Sequence, residues 1–273
     1  MIATSDRIDL ASGVSLSNAH VADVVRGRSW PLNNSGVFIL ERVGHRLDVV
    51  VREFAEAFDL PLDVARFDAL QFIWTLNALA LVNVIQSGSR LRRMKDWLGF
   101  ALRLAPAGAL PTPITCRHPL DTGGALRGVV SSLRASTARV VAIAAASTVA
   151  LLPLVATVGG AGRLGYLAVA LGIATGMGVG LHEAGHVASL RGVPSALVTR
   201  GRRTYVLHAP VGPVRRSFVA VSGPALAAAT GLVLVVLGVA GSEPEVLISG
   251  LPFVAHALSL TVIGGDGRAA CGI

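Results

Sequence analysis

Residues 164–190 read LGYLAVALGIATGMGVGLHEAGHVASL, and this stretch decides the fold. Apart from Tyr166, its only ionisable side chains are those of His182, Glu183 and His186. An α-helix needs about 20 apolar residues to cross the hydrocarbon core of a membrane, and this stretch is long enough. Polar groups within such a helix are costly and mark functional sites. The stretch therefore predicts a membrane helix that carries chemistry.

The three polar residues form an HExxH motif. A spacing of four residues is just over one helical turn, so both imidazoles project from one face with β-carbons roughly 5–6 Å apart. That geometry lets His182 and His186 reach a single zinc ion at about 2.0–2.1 Å. Glu183 is placed to act as a general base on a water held by the metal. The alternative is a pair of core histidines bonded to backbone carbonyls, but the span has no Lys or Arg to pair with Glu183.

A peptidase zinc takes a third protein ligand and leaves one position open. The candidates are His208, His256 and Asp266. Asp266 lies in GGDGR at the end of the last apolar run, at a depth similar to His186, and flanking glycines allow the backbone to turn inward. In the alternative interpretation Asp266 pairs with Arg268 at a helix end. His208 and His256 either bind substrate or lie at the membrane interface.

The composition is that of a membrane protein. Of 273 residues, 52% are hydrophobic and 15% charged, and the mean hydropathy is +0.64. About 25% charged residues is usual for soluble domains. We predict about four transmembrane helices, over residues 140–161, 164–190, 217–240 and 246–265. Arginines flank alternate ends of these runs, which predicts a multi-pass protein of the cytoplasmic (inner) membrane with both termini in the cytoplasm.

The charge is unevenly distributed along the chain. Residues 1–83 carry a net charge of −3 and residues 84–273 carry +11. The positive-inside rule explains the basic part, because its arginines flank apolar runs. Nucleic-acid binding is disfavoured because the basic segments lack interleaved aromatic residues. Cys116 and Cys271 are far apart, no signal peptide is visible, and both are interpreted as incidental thiols.

The chain divides into four predicted segments: a polar segment 1–20, a recognition domain 21–85, a basic amphipathic connector 86–137 and a transmembrane domain 138–273. The recognition domain is predicted to be a small α+β, winged-helix-like soluble domain. It has strands within 21–32 around a turn at Arg26–Arg28, and helices over 35–44, 47–58 and from Pro61 onward. Residues 91–104 are amphipathic and predict an interfacial helix, with a solvated linker helix as the alternative. Residues 204–207 predict a hairpin or edge strand.

Residues 140–273 resemble the site-2-protease-like family of membrane zinc metallopeptidases. The resemblance rests on HEAGH at 182–186, SGPALAA at 222–228 and GGDGR at 264–268. It implies that His182, His186 and Asp266 hold zinc and that Glu183 is the base. It places Ser222, Gly223 and Pro224 where helices approach closely, and we predict these residues to be near the substrate. The family has an Asn and a Pro before its Asp; this chain has His256 near the Asn position and no Pro.

The N-terminal part resembles the small chaperone of pyrroloquinoline-quinone biosynthesis and the related leader-peptide recognition elements. The similar stretches are LNNSGVFILERV at 32–43, REFAEAF at 52–58 and DVARFDALQFIWTLNALALV at 63–82. The resemblance implies that the domain binds the leader of a ribosomally synthesised, modified peptide by adding it as a strand to a sheet edge. The alternatives are a winged helix that binds DNA, which the net charge of −3 disfavours, or one that only packs on the peptidase.

Together these patterns predict a zinc metalloendopeptidase that removes the leader from a precursor peptide held by the N-terminal domain. The expected partners are the precursor peptide and the lipid bilayer, with peptide-modifying enzymes or an exporter as further candidates. Two alternatives stay open. One is regulated intramembrane proteolysis of a membrane-anchored regulator, and the other is a non-catalytic peptide-binding receptor. The sequence leaves the oligomeric state open.

Overall fold

The structure, a computed structural model, describes residues 2–87, 114–157, 161–200 and 203–261. The chain divides into two compact units: the first is Met1–Pro119 with Ala196–Leu207, and the second is Leu120–Ser195 with His208–Ile273. Small sheets and short helices build the first unit, and long helices build the second. The amphipathic stretch 91–104 lies outside the described residues.

The first unit begins with short antiparallel strands. They are β1 (Arg7–Leu10), β2 (Val14–Ser17), β3 (His20–Asp23), β4 (Arg28–Pro31) and β5 (Val82–Ile85). β2, β3 and β4 form a three-stranded meander, and β1 pairs with β5 across the intervening helices. The strands expected within residues 21–32 are confirmed as β3 and β4, with Gly27 between them at φ +61°. β1 and β2 both lie within the polar segment 1–20, for which no strand is predicted from the sequence.

Three helices pack on these strands: α1 (Asn34–Glu41), α2 (Leu47–Ala57) and α3 (Leu62–Ala78). α1 starts where the Asn33 side chain accepts a hydrogen bond from the Gly36 amide, which satisfies one of the free donors of its first turn. Pro61 precedes α3 and limits the backbone to a helix-starting conformation. Leu40, Leu47 and Ile73 are among the buried side chains that join the helices. All three predicted helices are confirmed.

A second three-stranded sheet belongs mainly to the first unit, although two of its strands lie far along the chain. Its strands, in the spatial order β6-β7-β8, are β6 (Ile114–Leu120), β7 (Ser195–Arg200) and β8 (Arg203–His208). The strand predicted over residues 204–207 is confirmed as part of β8, which lies at an edge of this sheet. The buried side chain of Asn77 in α3 donates to the carbonyls of Val82 and Ile114, and accepts from the Ile114 amide at 2.8 Å. The Asn77 side-chain amide therefore acts as the hydrogen-bond partner of backbone groups of Val82 and Ile114, and it holds β6 to α3.

A buried ion pair also joins β6 to the β2-β3-β4 meander. The Arg117 guanidinium donates to both carboxylate oxygens of Asp23, at 3.0 and 2.6 Å, and to the carbonyl of Ala80. Both charged side chains are fully buried. Arg26 is a second partner of the same carboxylate. Bidentate ion pairs of this kind are stronger than single contacts. This pair therefore fixes the position of β6 relative to β3.

The second unit is helical. Its elements are α4 (Ala125–Thr157), α5 (Ala161–Ser189), α6 (Pro213–Ala240), α7 (Pro244–Val254) and a 3-10 helix (Ala255–Leu260). Two segments, Gly165–Ser189 and Pro213–Ala240, are long and apolar enough to cross a membrane. A third is present if the two parts of α4, Ala125–Thr137 and Val140–Leu151, count as one span.

The described residues thus hold two candidate spans, or up to three, where four were expected. The second and third predicted runs, 164–190 and 217–240, are confirmed as helices of sufficient length. The fourth run, 246–265, begins as the shorter apolar helix α7 and continues as the 3-10 helix; residues 262–265 lie outside the described residues. The count of four spans stays a prediction.

Helices α6 and α7 approach closely through glycines. A β-carbon on Gly231 would lie 2.6 Å from the carbonyl oxygen of Gly250, and one on Gly250 would lie equally close to the carbonyl oxygen of Gly231. Such distances exclude any side chain at either position. Small residues allow this approach in helical bundles, and here it fixes where the chain after α7 lies relative to α6.

We expect Arg117→Met to lower the free energy of unfolding of the first unit by about 3–5 kcal/mol, because it leaves the Asp23 carboxylate buried without its main partner. Urea unfolding of the full chain in detergent, followed by tryptophan fluorescence, measures the loss. The control is Arg7→Met, which breaks an ion pair with Asp9 whose side chains are 48% and 37% exposed. That change is expected to cost only about 0–1 kcal/mol. Equal losses in the two variants would contradict the assignment.

The same pair predicts a dependence on acid. Burial raises the pKa of the Asp23 carboxyl, but hydrogen bonds from Arg117 and Arg26 and their charges outweigh burial and lower the pKa below 3.8. The stabilisation is therefore complete above the ordinary pKa and is lost as pH falls through the lowered one. The gap in urea midpoint between wild type and Asp23→Asn should be full above about pH 5 and should shrink as pH falls toward about pH 3. A gap that stays constant would count against this explanation.

Candidate metal centre

Helix α5 places the two histidines of the motif side by side. The Nε2 atoms of His182 and His186 lie 3.1 Å apart, and their ring centroids are 4.8 Å apart. Two nitrogens bound to one tetrahedral zinc at about 2.0–2.1 Å would lie roughly 3.3 Å apart. The observed distance is close to this value, so the two imidazoles fit a shared metal ion. His186 and Glu183 are each only 8% exposed.

The orientation of His186 is set by helix α6. Its Nδ1 atom lies 2.6 Å from the carbonyl oxygen of Val219. A carbonyl can only accept, so Nδ1 carries the proton and Nε2 carries the free electron pair. Histidines that bind metals usually donate their second ring nitrogen to a carbonyl or carboxylate in this way. The bond therefore prepares the nitrogen that faces His182 for metal binding.

The small-residue segment of α6 makes this contact possible. A β-carbon on Gly223 would lie 2.5 Å from both Cε1 and Nε2 of His186, so only glycine leaves room for the ring. From the other helix, a β-carbon on Gly185 would lie 2.5 Å from the carbonyl oxygen of Ser222. The Ser222 hydroxyl lies 2.8 Å from the Val219 carbonyl oxygen and 3.1 Å from the Ser189 hydroxyl, so its single proton can be donated to either of them. Ser222 and Gly223 thus lie at the α5–α6 contact and position His186.

Pro224 follows within the same helix and is buried. A proline inside a helix has no amide hydrogen to donate, which removes one helical hydrogen bond at this level. Ser222 and Gly223 lie against the motif helix, and Pro224 is the next residue of α6. Whether they also contact substrate stays a prediction.

A third imidazole lies next to the pair. His256, in the 3-10 helix, has its ring centroid 4.9 Å from that of His182, and it is half-buried. His208 does not join the group. Its Nδ1 atom lies 2.7 Å from the carbonyl oxygen of Ala209, and the described residues show no bond or ring contact between His208 and the other histidines.

The remaining predicted ligand cannot be placed. Asp266 and its neighbours 265–267 lie outside the described residues. Within the described part of the chain, no three His, Cys, Asp or Glu side chains are gathered closely enough to hold a metal ion. The described centre is therefore two adjacent imidazoles with a buried carboxylate on the same helix, and metal binding by His182, His186 and Asp266 stays a prediction.

No protein family, curated protein or solved structure matches this chain. The interpretation of the site therefore rests on its geometry and on the sequence resemblances.

Sequence reasoning missed two features of the site. The Val219 carbonyl is a backbone group and leaves no mark in the residue pattern. Ser189, whose hydroxyl accepts from Ser222 and donates to the His186 carbonyl at 2.7 Å, gave a weak signal as a serine one turn after the motif. Both features hold the motif helix against α6.

We expect Gly223→Ala to weaken zinc binding by roughly 10–100-fold, the range found when groups that support metal ligands are disturbed. The added methyl group pushes the His186 ring from its place, while α6 keeps its helical character because alanine is a good helix former. Zinc affinity is measured by competition with a chelator in detergent.

The matched control is Gly165→Ala in α5, because a β-carbon at that position has no atom within 4 Å. Zinc affinity should be unchanged in this control. If both variants bind zinc as tightly as wild type, the steric assignment of Gly223 is wrong.

Proposed function

We propose that the chain is a membrane-embedded zinc metalloendopeptidase that removes the leader from a ribosomally synthesised precursor peptide. One observation carries the proposal: two imidazole nitrogens converge to 3.1 Å inside an apolar helix, and one of them is oriented by a bond to a carbonyl of the next helix. This arrangement, next to a buried Glu183, supports metal-assisted hydrolysis of a peptide bond.

His182 and His186 hold the metal, and Asp266 is the proposed third ligand. When bound, zinc supplies Lewis acidity that makes a water more acidic and polarises the scissile carbonyl. Glu183 takes a proton from the attacking water and passes it to the leaving nitrogen as the carbon–nitrogen bond breaks.

The bilayer is the proposed environment of the second unit. Helix α6 exposes apolar side chains around its second half, where Leu232, Val233, Val236 and Leu237 are each 55–63% exposed. In water such a surface would be costly, and lipid tails remove the cost. We propose four spans in the inner membrane with both termini cytoplasmic, on the arginine distribution. The HExxH motif lies near the cytoplasmic end of α5.

The first unit is proposed to deliver the substrate. Its three-stranded meander has β2 and β4 as edges, and an extended peptide adds to a free sheet edge through main-chain hydrogen bonds. Helix α3 exposes Leu62, Val64 and Phe67, the last by 67%. Exposed apolar side chains of this kind are typical of surfaces that bind partners. Holding the precursor here raises its concentration near the zinc site. Peptide-modifying enzymes or an exporter are proposed further partners.

Two substitutions test the reaction. We expect His186→Ala to lose bound zinc, measured by metal analysis of purified protein. Glu183→Gln should keep zinc but cleave a precursor peptide encoded beside the gene more slowly by roughly 10²–10⁴-fold, the usual contribution of a general base. Cleavage is followed by mass spectrometry after co-expression.

The matched controls are His45→Ala and Glu243→Gln, both exposed residues that are not part of the motif. They should keep wild-type zinc content and cleavage. The metal assignment is wrong if His186→Ala retains full zinc, and the catalytic assignment is wrong if Glu183→Gln cleaves at the wild-type rate. A wild type that binds the precursor without cutting it would support the receptor alternative.

A further inference from the structure

The 3-10 helix that follows α7 places His256 beside His182, one of the two motif histidines. Ala255–Leu260 packs against α6, and the α6–α7 approach at Gly231 and Gly250 fixes its starting point. The ring of His256 is inclined by 43° to that of His182. Since His256 is half-buried rather than enclosed, a peptide chain bound at His182 and His186 can reach it.

A glycine in α5 provides the space for this ring. Gly178 lies one helical turn before His182 and on the same face. A β-carbon there would lie 3.0 Å from Nε2 and 3.3 Å from Cδ2 of His256, so the ring would have to shift by a few tenths of an ångström to make room for it. The absence of a side chain at 178 therefore lets the His256 ring lie against α5 beside His182.

His256 lies beside the pair without completing a ligand set among the described residues. Its ring centroid lies 4.9 Å from that of His182, so a group held beside His182 would lie close to the His256 ring. We propose that His256 donates a hydrogen bond to the carbonyl oxygen of the scissile peptide bond, and that Gly178 seats its ring. The proposal rests on the peptidase function proposed above.

The chemistry of hydrolysis explains what this contact does. The water oxygen bonds to the carbonyl carbon, and an electron pair moves onto the carbonyl oxygen. The carbon–nitrogen bond then breaks, and the proton taken by Glu183 goes to the leaving nitrogen. His256 keeps its own proton throughout. Its hydrogen bond strengthens as negative charge develops on the oxygen, so it stabilises the transition state more than the bound substrate.

The expected effect follows from this difference. Removal of one donor to a developing oxyanion usually lowers kcat by about 10²–10³-fold. KM should change little, because the ground-state carbonyl gains less from the contact. Zinc content should stay at the wild-type level, since His256 acts on the substrate and not on the metal.

The test uses the full chain in detergent with three variants. His256→Phe keeps a flat ring but has no donor, His256→Gln restores an N–H donor, and Gly178→Ala displaces the ring. The probe is an N-phosphoryl dipeptide amide, whose tetrahedral anionic phosphoryl group resembles the transition state. Its affinity is measured by calorimetry, together with zinc content and, on the precursor, kcat and KM.

We expect His256→Phe to bind the probe about 10²–10³-fold more weakly with unchanged zinc. His256→Gln should recover part of the loss, and Gly178→Ala should fall between wild type and His256→Phe. The control Gly165→Ala, in open space on the same helix, should match wild type. Loss of zinc in His256→Phe would make His256 a metal ligand and overturn the proposal. Probe affinity in wild type no higher than in His256→Phe would also overturn it.

These outcomes separate the proposal from the function on which it rests. If Glu183→Gln is inactive while His256→Phe matches wild type in kcat and probe affinity, only the role of His256 fails. If Glu183→Gln cleaves at the wild-type rate, the peptidase mechanism fails whatever His256 does.

Discussion

The hydrogen bond from His186 to the Val219 carbonyl is the contact on which the centre depends. A buried imidazole needs a partner for its second nitrogen, and within the second unit that partner is a backbone group of the next helix. The bond requires α5 and α6 to approach at backbone distance, which Gly185 and Gly223 allow. The same principle continues from α6 to α7 through Gly231 and Gly250. Glycine contacts thus determine where three histidines lie.

The first unit is held together by different means. Its core is built of ordinary apolar side chains, but its second sheet is attached through polar groups that are fully buried, namely Asn77 and the Asp23–Arg117 pair. Buried polar groups cost free energy unless each finds a partner, so they tolerate only one arrangement of the strands. The apolar core gives the first unit stability, and these groups specify how β6 joins it.

The sequence was most informative where a pattern repeats locally. Helical spacing predicted α1, α2 and α3, and the HExxH spacing predicted that His182 and His186 would face each other. Pairings between distant segments, such as β1 with β5 or Arg117 with Asp23, follow from tertiary packing and have no local signature. His256 was recognised as a candidate, but its contact with His182 depends on the end of α7. The hydropathy pattern predicts four apolar runs. Whether each run forms a helix long enough to cross a membrane depends on where that helix begins and ends, which hydropathy does not specify.

The second sheet has a consequence for the order of folding during synthesis. β7 and β8 are inserted between α5 and α6, yet they complete a unit that begins at the N-terminus. Residues 1–87 therefore leave the ribosome long before their last strands exist. Until the motif helix has been made, the edge of β6 that β7 later covers is open to other extended chains. A chaperone or an early membrane contact that shields this edge would act before the chain is complete.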